Sequence, residues 1–367
     1  MQNFSKILLN WYQQNKRELP WRDEDDPYKI WVSEIILQQT RIAQGWDYYL
    51  RFVERFPSVS RLAEASEDEV LKYWQGLGYY SRARNLHAGA KYIMETHRGV
   101  FPKNHAEILK IKGVGEYTAA AVASLAFRQP FPAIDGNAFR VLTRIFGIET
   151  PIDTNAGKKE ITDLAMQLID LQRPDLFNQA VMDFGSLQCT PAVPKCEDCC
   201  FASFCLAKKQ NLTALLPVKS QKNNVKTRYF YYLHLVADKK NYICRRSAKD
   251  IWQGLYEFPL IESAKSLSQD AVLGHADTLH LLKNCKWVLE NSTPIYKHQL
   301  THQTIYGQGF RIQILEGVPL IDEKIICVAE KDLSQYPVSR LMEKIVFSPQ
   351  NNTPFSIKNA IFANQNK

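Results

Sequence analysis

Four cysteines crowd into seventeen residues: Cys189, Cys196, Cys199 and Cys205 stand as C-x6-C-x2-C-x5-C, with Cys200 an adjacent extra. Thiolates at this spacing in one loop can enclose a cubic [4Fe-4S] cluster or hold a tetrahedral zinc, and ligand type alone does not separate the two. Disulfides would be the other use of the chain's eight cysteines, but such crowding argues for metal. Spacing favours Cys199 over Cys200 as the third ligand. Cys244, Cys285 and Cys327 read as core thiols.

Two carboxylates stand in settings of opposite character. Glu34 lies in PYKIWVSEIILQQT beside Trp31, Ile35 and Leu37. If buried there, it holds its proton to a higher pH than an ordinary glutamate and can act as an acid. The other reading is an exposed glutamate on an amphipathic helix. Asp135 opens the run GNAFRVLTRIF, where an aspartate serves as N-cap. Upstream, ILKIKGVGEYTAAAVASLAF is a helix end, a Gly113-Val114-Gly115 turn and an alanine-rich helix. Both glycines can reach positive φ, so the turn can aim amide hydrogens at one phosphate at a helix N-terminus. The tripeptide alone is equally a plain turn between packed helices.

The elements that must position these residues follow from periodicity. Up to about residue 210, apolar residues recur at three and four spacing, as in FSKILLNWY, IWVSEIILQQ, EDEVLKYWQGLGYY and AGAKYIMETH, which predicts an all-α domain over 1–210. The polar, basic stretch at 211–227 reads as a linker. Beyond it, YFYYLHLVA, YICRR, GLYEFP, THQTIYGQGFRIQIL and KIICVA predict strands, and SLSQDAVLGHADTLHLLK and SRLMEKIVF predict helices, giving an α+β domain over 228–348. Residues 349–367 read as a polar tail. A length of 367 residues suits two domains of roughly 100 to 230 residues each.

With 45% hydrophobic and 23% charged residues, and no apolar run approaching the roughly 20 residues of a membrane helix, a soluble protein without a membrane partner is expected. The opening MQNFSKILLNWYQQNKREL has no secretory pattern, so a cytoplasmic location is expected. A formal net charge of +8 points modestly to a polyanionic partner, although basic surfaces also serve solubility.

LKIKGVGEYTAAAV, then AIDGNAFRV, then the cysteine cluster resembles the helix-hairpin-helix DNA glycosylases of the endonuclease III superfamily, over nearly all of 1–210. WVSEIILQQT is similar to the stretch of the MutY family that carries a catalytic glutamate. The resemblance implies base-excision repair: a flipped adenine is protonated at N7 by Glu34, and the cationic sugar is stabilised by an ionised Asp135 that Asn137 orients. It implies a [4Fe-4S] cluster on Cys189, Cys196, Cys199 and Cys205, in a loop whose Lys195 and Lys208 face the DNA backbone. Arg17, Leu19, Trp21 and Arg22 match positions lining the adenine pocket, and Gln39 and Tyr79 match wedges inserted between bases. Gly113, Val114 and Gly115 match the phosphate-binding hairpin. Trp74 and Tyr80 read as core, and Arg82 and Arg84 as phosphate contacts.

Lyase members of the superfamily resemble GVG-x-K, whose lysine attacks the sugar as an amine, whereas this chain has Tyr117 there. A monofunctional glycosylase is therefore expected, with Tyr117 near the sugar and the carboxylates. GLYEFP resembles the GLWEFP of a Nudix-like domain, yet ESAKSLSQDAVLGH lacks the glutamate-rich helix that holds magnesium in the hydrolases. His298-Gln299-Leu300-Thr301-His302 resembles the family's H-x-F-S-H loop that reads 8-oxoguanine, with Leu300 and Thr301 replacing phenylalanine and serine. Two surface histidines on a strand are the plainer reading of the same residues. Duplex DNA carrying A:8-oxoguanine or A:G is the expected partner, bound by a monomer at a bacterial nucleoid. The rivals are an endonuclease III-like glycosylase/lyase for oxidised pyrimidines and a non-catalytic iron–sulfur protein that binds lesions.

Overall fold

The computed structural model describes residues 3–220, 225–247, 249–320 and 324–346. The expected polar tail at 349–367 lies outside them, as do positions 221–224 of the expected linker. The chain divides into two compact units: Met1–Ala65 with Asn85–Lys222, and Ser66–Arg84 with Asn223–Lys367.

The first unit is helical: α1 (Phe4–Asn15), α2 (Pro27–Leu37), α3 (Ile42–Arg55), α4 (Val59–Glu64), then, after α5 (Glu67–Trp74) of the second unit, α6 (Ser81–His97), which runs from the second unit into the first, α7 (His105–Ile108), α8 (Glu116–Phe127), α9 (Gly136–Phe146), α10 (Asn155–Leu168), α11 (Pro174–Leu187) and α12 (Leu206–Lys209). Helix α2 starts where Asp26 accepts the N–H of Tyr28 and Pro27 presets the first turn. From Tyr28 to Ile36, all but Lys29 are buried, so α2 is a core helix and Glu34 is only 8% exposed. The amphipathic alternative fails because no face of α2 meets water along its length.

Helix α9 starts on Asp135, whose carboxylate accepts the Ala138 N–H at 2.7 Å, and ends on Gly147 in the left-handed region. One core joins α1, α9 and α11 through Phe4, Leu8, Val141, Ile145, Phe177 and Phe184. Phe201, from inside the cysteine loop, is fully buried and stacks on Phe4 at 4.9 Å, so the loop is pinned by an aromatic anchor. Helices α9 and α11 approach closely because Gly185 has no side chain: a Cβ there would lie 2.6 Å from Asn137 Cβ.

In the second unit, among the described residues, eight strands form one mixed sheet: β1 (Lys226–Ala237), β2 (Lys240–Arg245), β3 (Tyr256–Glu257), β4 (Leu260–Ser263), β5 (Lys286–Ser292), β6 (Tyr296–Gln299), β7 (Gln303–Glu316) and β8 (Ile325–Ala329). The long β1 and β7 pair in parallel from Lys226↔Gln303 to Val236↔Gln313. Helices α13 (Gln269–Leu273), α14 (Ala276–Leu281) and α15 (Arg340–Val346) complete the unit. Phe230, Tyr232 and Ile305 pack with Leu341 and Ile345 on one side, while Tyr231, Leu233 and Phe310 pack with Val272 and Leu281 on the other. The strand expected from Thr301 begins at Gln303, because Leu300 donates to the Gln303 carbonyl at 2.8 Å and closes a turn between β6 and β7. Among the three thiols read as core, Cys244 and Cys285 are half-buried and Cys327 is exposed.

Candidate active site and reader loop

A cavity of about 760 Å³ in the first unit is lined by Glu34, Tyr117, Asp135 and Asn137, together with Arg17, Leu19, Trp21, Arg22 and Gln39. Glu34 comes from α2, Tyr117 from the first turn of α8, and Asp135 from the cap of α9. The Tyr117 hydroxyl donates to Glu34 Oε2 at 2.6 Å. Burial pushes the Glu34 carboxyl above its ordinary pKa; the Tyr117 hydrogen bond and the Arg22 charge oppose this, and the Asp135 charge adds to it. Burial also holds the Tyr117 phenol well above its usual value, so it stays a donor.

Asp135 is raised by burial too, but donors converge on it: the Ala138 N–H, and the Asn137 amide at 2.7 Å from Oδ2, with the Arg140 charge behind them. Among the bonds described, Glu34 accepts from one phenol, whereas Asp135 accepts from backbone and amide together. That asymmetry favours the proton on Glu34 and the charge on Asp135.

Arg140 is the keystone of a further set of bonds. Its Nη2 donates to Asn137 Oδ1 and to the Gly185 carbonyl, each at 2.7 Å, and its Nε donates to the Cys189 carbonyl at 2.8 Å. The start of the cysteine loop is thereby tied to the residue that holds Asp135.

Motif spacing gave no sign of α11's contribution. Asp183, fully buried, receives the N–H, Nε and Nη2 of Arg17 and the Nη2 of Arg22. Both guanidiniums of the expected adenine pocket are therefore anchored from behind. Gln179 and Met182 of the same helix also line the cavity, Gln179 with its Oε1 2.7 Å from the Tyr12 hydroxyl. The one available signal was a lone acid inside the apolar run AVMDFGSL.

The hairpin differs from expectation at one glycine. Gly113 takes φ +81, and a Cβ would meet Asn85 Cβ at 2.5 Å, whereas Gly115 is extended at φ −101 and is the N-cap of α8. Val114 is 9% exposed and its N–H is bonded to the Ile111 carbonyl, so its side chain serves packing. Gln39 is exposed on a left-handed backbone, φ +55.

In the cysteine loop, Arg144 Nη1 donates to Cys189 Sγ at 3.5 Å and the Phe201 N–H to Cys199 Sγ at 3.4 Å. Cys205 is buried, Cys196 and Cys199 are half-buried, and Cys200 is exposed. Arg144 also binds the carbonyls of Thr190, Pro191 and Leu216. Donors aimed at sulfur fit a thiolate centre, since they spread its charge. Among the described residues, no group of three or more His, Cys, Asp or Glu side chains is drawn close enough to hold an ion as it stands.

A second cavity, of about 340 Å³, lies in the other unit and is lined by Tyr79, Trp252, His298, Leu300, Thr301 and His302, among others. His298 is on β6, and Leu300, Thr301 and His302 form the turn to β7. The hydroxyls of Tyr79 and Thr301 are hydrogen-bonded to each other. Tyr79 is 44% exposed at φ +47, while Trp74 and Tyr80 are buried as expected. Arg82 and Arg84, expected at phosphates, turn inward. Arg82 is buried beside the Trp74 ring and donates to the Gly78 carbonyl, and Arg84 donates to the Gln253 carbonyl.

Residues 32–169 match the HhH-GPD superfamily of base excision DNA repair proteins, and residues 231–347 match a NUDIX domain. The adenine DNA glycosylase of Buchnera aphidicola subsp. Baizongia pistaciae is 35% identical over 320 residues, 83% of this chain and 84% of the relative. The chain belongs to the MutY family of adenine DNA glycosylases. The mouse adenine DNA glycosylase is 44% identical over 214 residues, 56% of this chain and 41% of the mouse protein. Among solved structures, a thermostable thymine-DNA glycosylase superposes with a TM-score of 0.54 at 30% identity, over 57% of this chain and 96% of its own. An endonuclease III–DNA covalent intermediate gives 0.51 at 21% identity over the same shares, a likeness of fold alone. The MutY family accounts for the helical and NUDIX regions appearing in this order. Among the described residues, no helix is long and apolar enough to cross a membrane.

Proposed function

We propose that the chain hydrolyses the N-glycosidic bond of adenine mispaired with 8-oxoguanine or guanine in duplex DNA, leaving an abasic site in an intact strand. The observation that carries this reading is the Tyr117–Glu34 hydrogen bond inside a cavity that Asp135 also lines. Adenine leaves the stack at a cost of a few kcal/mol, less in a mismatch, and enters that cavity. Glu34 gives its proton to N7, and the bond to the sugar breaks toward the base. Asp135, ionised and held by Asn137 and Ala138, stabilises the cationic sugar. Glu34, now a carboxylate, takes a proton from the attacking water. Tyr117 keeps Glu34 oriented and offers no amine, so no Schiff base forms.

Arg17 and Arg22 on Asp183, with Leu19 and Trp21, shape the pocket. Gln39 and Tyr79 act as wedges, and the Gly113–Gly115 turn sits on a phosphate. Cys189, Cys196, Cys199 and Cys205 would hold a [4Fe-4S] cluster, which supplies structural cross-linking of the loop rather than a step of the reaction. Residues 1–210 form the excising module and 228–348 the module that inspects the partner base through His298, Leu300, Thr301 and His302. The protein works as a monomer at a bacterial nucleoid.

Single-turnover assays on duplexes carrying one A:8-oxoguanine, A:G or A:T pair test this. Adenine is expected from the first two and not the third, with strand scission only after added base or heat. Scission without either would restore the glycosylase/lyase reading, and tight binding with no release would make the chain a lesion-binding protein.

A further inference from the structure

The turn before GLYEFP carries a residue that neither motif spacing nor the catalytic account uses. Trp252 holds φ +58, a left-handed conformation that is costly for a bulky aromatic residue and persists only where its surroundings over-determine it. Here three arginines do so. Arg228 grips both oxygens of Asp250 at 3.0 and 2.6 Å, Arg246 donates to Asp250 at 2.8 Å and to the Ile251 carbonyl at 2.9 Å, and Arg84 donates to the Gln253 carbonyl. The clamped turn presents a half-buried indole to the same cavity as Thr301 and Leu300. Its ring meets the His298 imidazole edge-on, 5.4 Å between centroids at 70°.

For polar contact that cavity has hydroxyls, Thr301 and Tyr79 among them, two imidazoles and the charged groups of Arg84, Asp250 and Arg340, but its loop carries an aliphatic side chain, Leu300, where an aromatic face is needed to stack on a base. We propose that Trp252 is the platform on which the base opposite adenine stacks, taking the part that Leu300 cannot play, with Thr301 and His298 supplying the polar contacts. Burial, helped by the Lys344 charge, holds His298 below its ordinary pKa, so it meets the base as a neutral ring. A strained, rigidly framed indole suits this task because it stacks without first being ordered. The assignment rests on the proposal that this cavity inspects 8-oxoguanine.

The measurement is the ratio of single-turnover adenine release from A:8-oxoguanine to that from A:G, read on the full chain alongside a urea unfolding midpoint. Because in this assignment Thr301 and His298 seat the 8-oxo base, and not guanine, on the indole, Trp252→Leu is expected to lower the ratio about tenfold, the scale of one lost base–aromatic stack, and Trp252→Phe to change it by less than about threefold. Adding Leu300→Phe to Trp252→Leu should restore most of the loss. Leu300→Phe alone, a test that does not depend on Trp252→Leu folding, should raise the ratio by less than about threefold, because the stacking face is already supplied. An unchanged ratio in a folded Trp252→Leu variant, or a gain of about tenfold from Leu300→Phe alone, would overturn the assignment. A wild-type ratio near one would overturn the 8-oxoguanine reading itself and this assignment with it.

Discussion

The two cavities are built from different materials. The one in the helical unit gathers buried and half-buried ionisable groups, Glu34, Asp135, Tyr117 and the Arg17–Arg22–Asp183 cluster, each with at least one named partner. The one in the sheet unit sets rings and aliphatic side chains beside the charged groups of Arg84, Asp250 and Arg340, with Tyr79, Thr301 and His302 open to water. Burial is what shifts a carboxyl's pKa and gives hydrogen bonds their leverage on charge, so the first cavity is equipped for proton transfer. Stacking needs flat faces, which Tyr79, Trp252 and His298 supply in the second, so that cavity is equipped for recognition. Preorganisation is common to both, supplied in the first by Asp183 and Arg140 and in the second by the arginines around Asp250.

The largest effect that would break this contrast lies at Asp183. Asp183→Ala leaves the guanidiniums of Arg17 and Arg22 without their buried counter-charge and should cost about 3 kcal/mol or more of folding free energy. A urea titration should show a lower midpoint with an unchanged slope; a midpoint equal to wild type would mean that the pocket wall is not held from α11.

A smaller effect sharpens the electrostatics. The Tyr117 phenol favours the charged form of Glu34, so Tyr117→Phe raises the Glu34 pKa further. A reaction that needs the protonated acid should keep its activity to higher pH in this variant, with a loss of less than about tenfold below the limb. A limb displaced toward lower pH would contradict the assigned direction.

The contrast was unevenly legible in the amino-acid order. Asp135 could be read as an N-cap because capping is local, written within three residues of Ala138. The burial of Glu34 could not be settled locally, since a glutamate among apolar residues suits either a core helix or the edge of an amphipathic one, and only the packing around α2 decides. Asp183 and Arg140 escaped notice because their partners lie 166 and 49 positions away, at Arg17 and Cys189. In the sheet, β5 and β6 have no clear signal because KWVLENS and YKHQ bury little and alternate weakly: Trp287 is the one buried residue of the two strands. Trp252 stood beside a recognised motif, yet a left-handed φ at a tryptophan has no sequence signature.

The proposed reaction turns on a proton held by Glu34, and a pH profile of single-turnover adenine release by wild type and Glu34→Gln tests it most directly. Wild-type release should fall as pH rises through the raised Glu34 pKa, because the proton destined for N7 is lost. Glu34→Gln should be about 10² to 10⁴-fold slower and lack that limb. Equal rates in the two proteins, or the same alkaline limb in both, would remove Glu34 from the reaction.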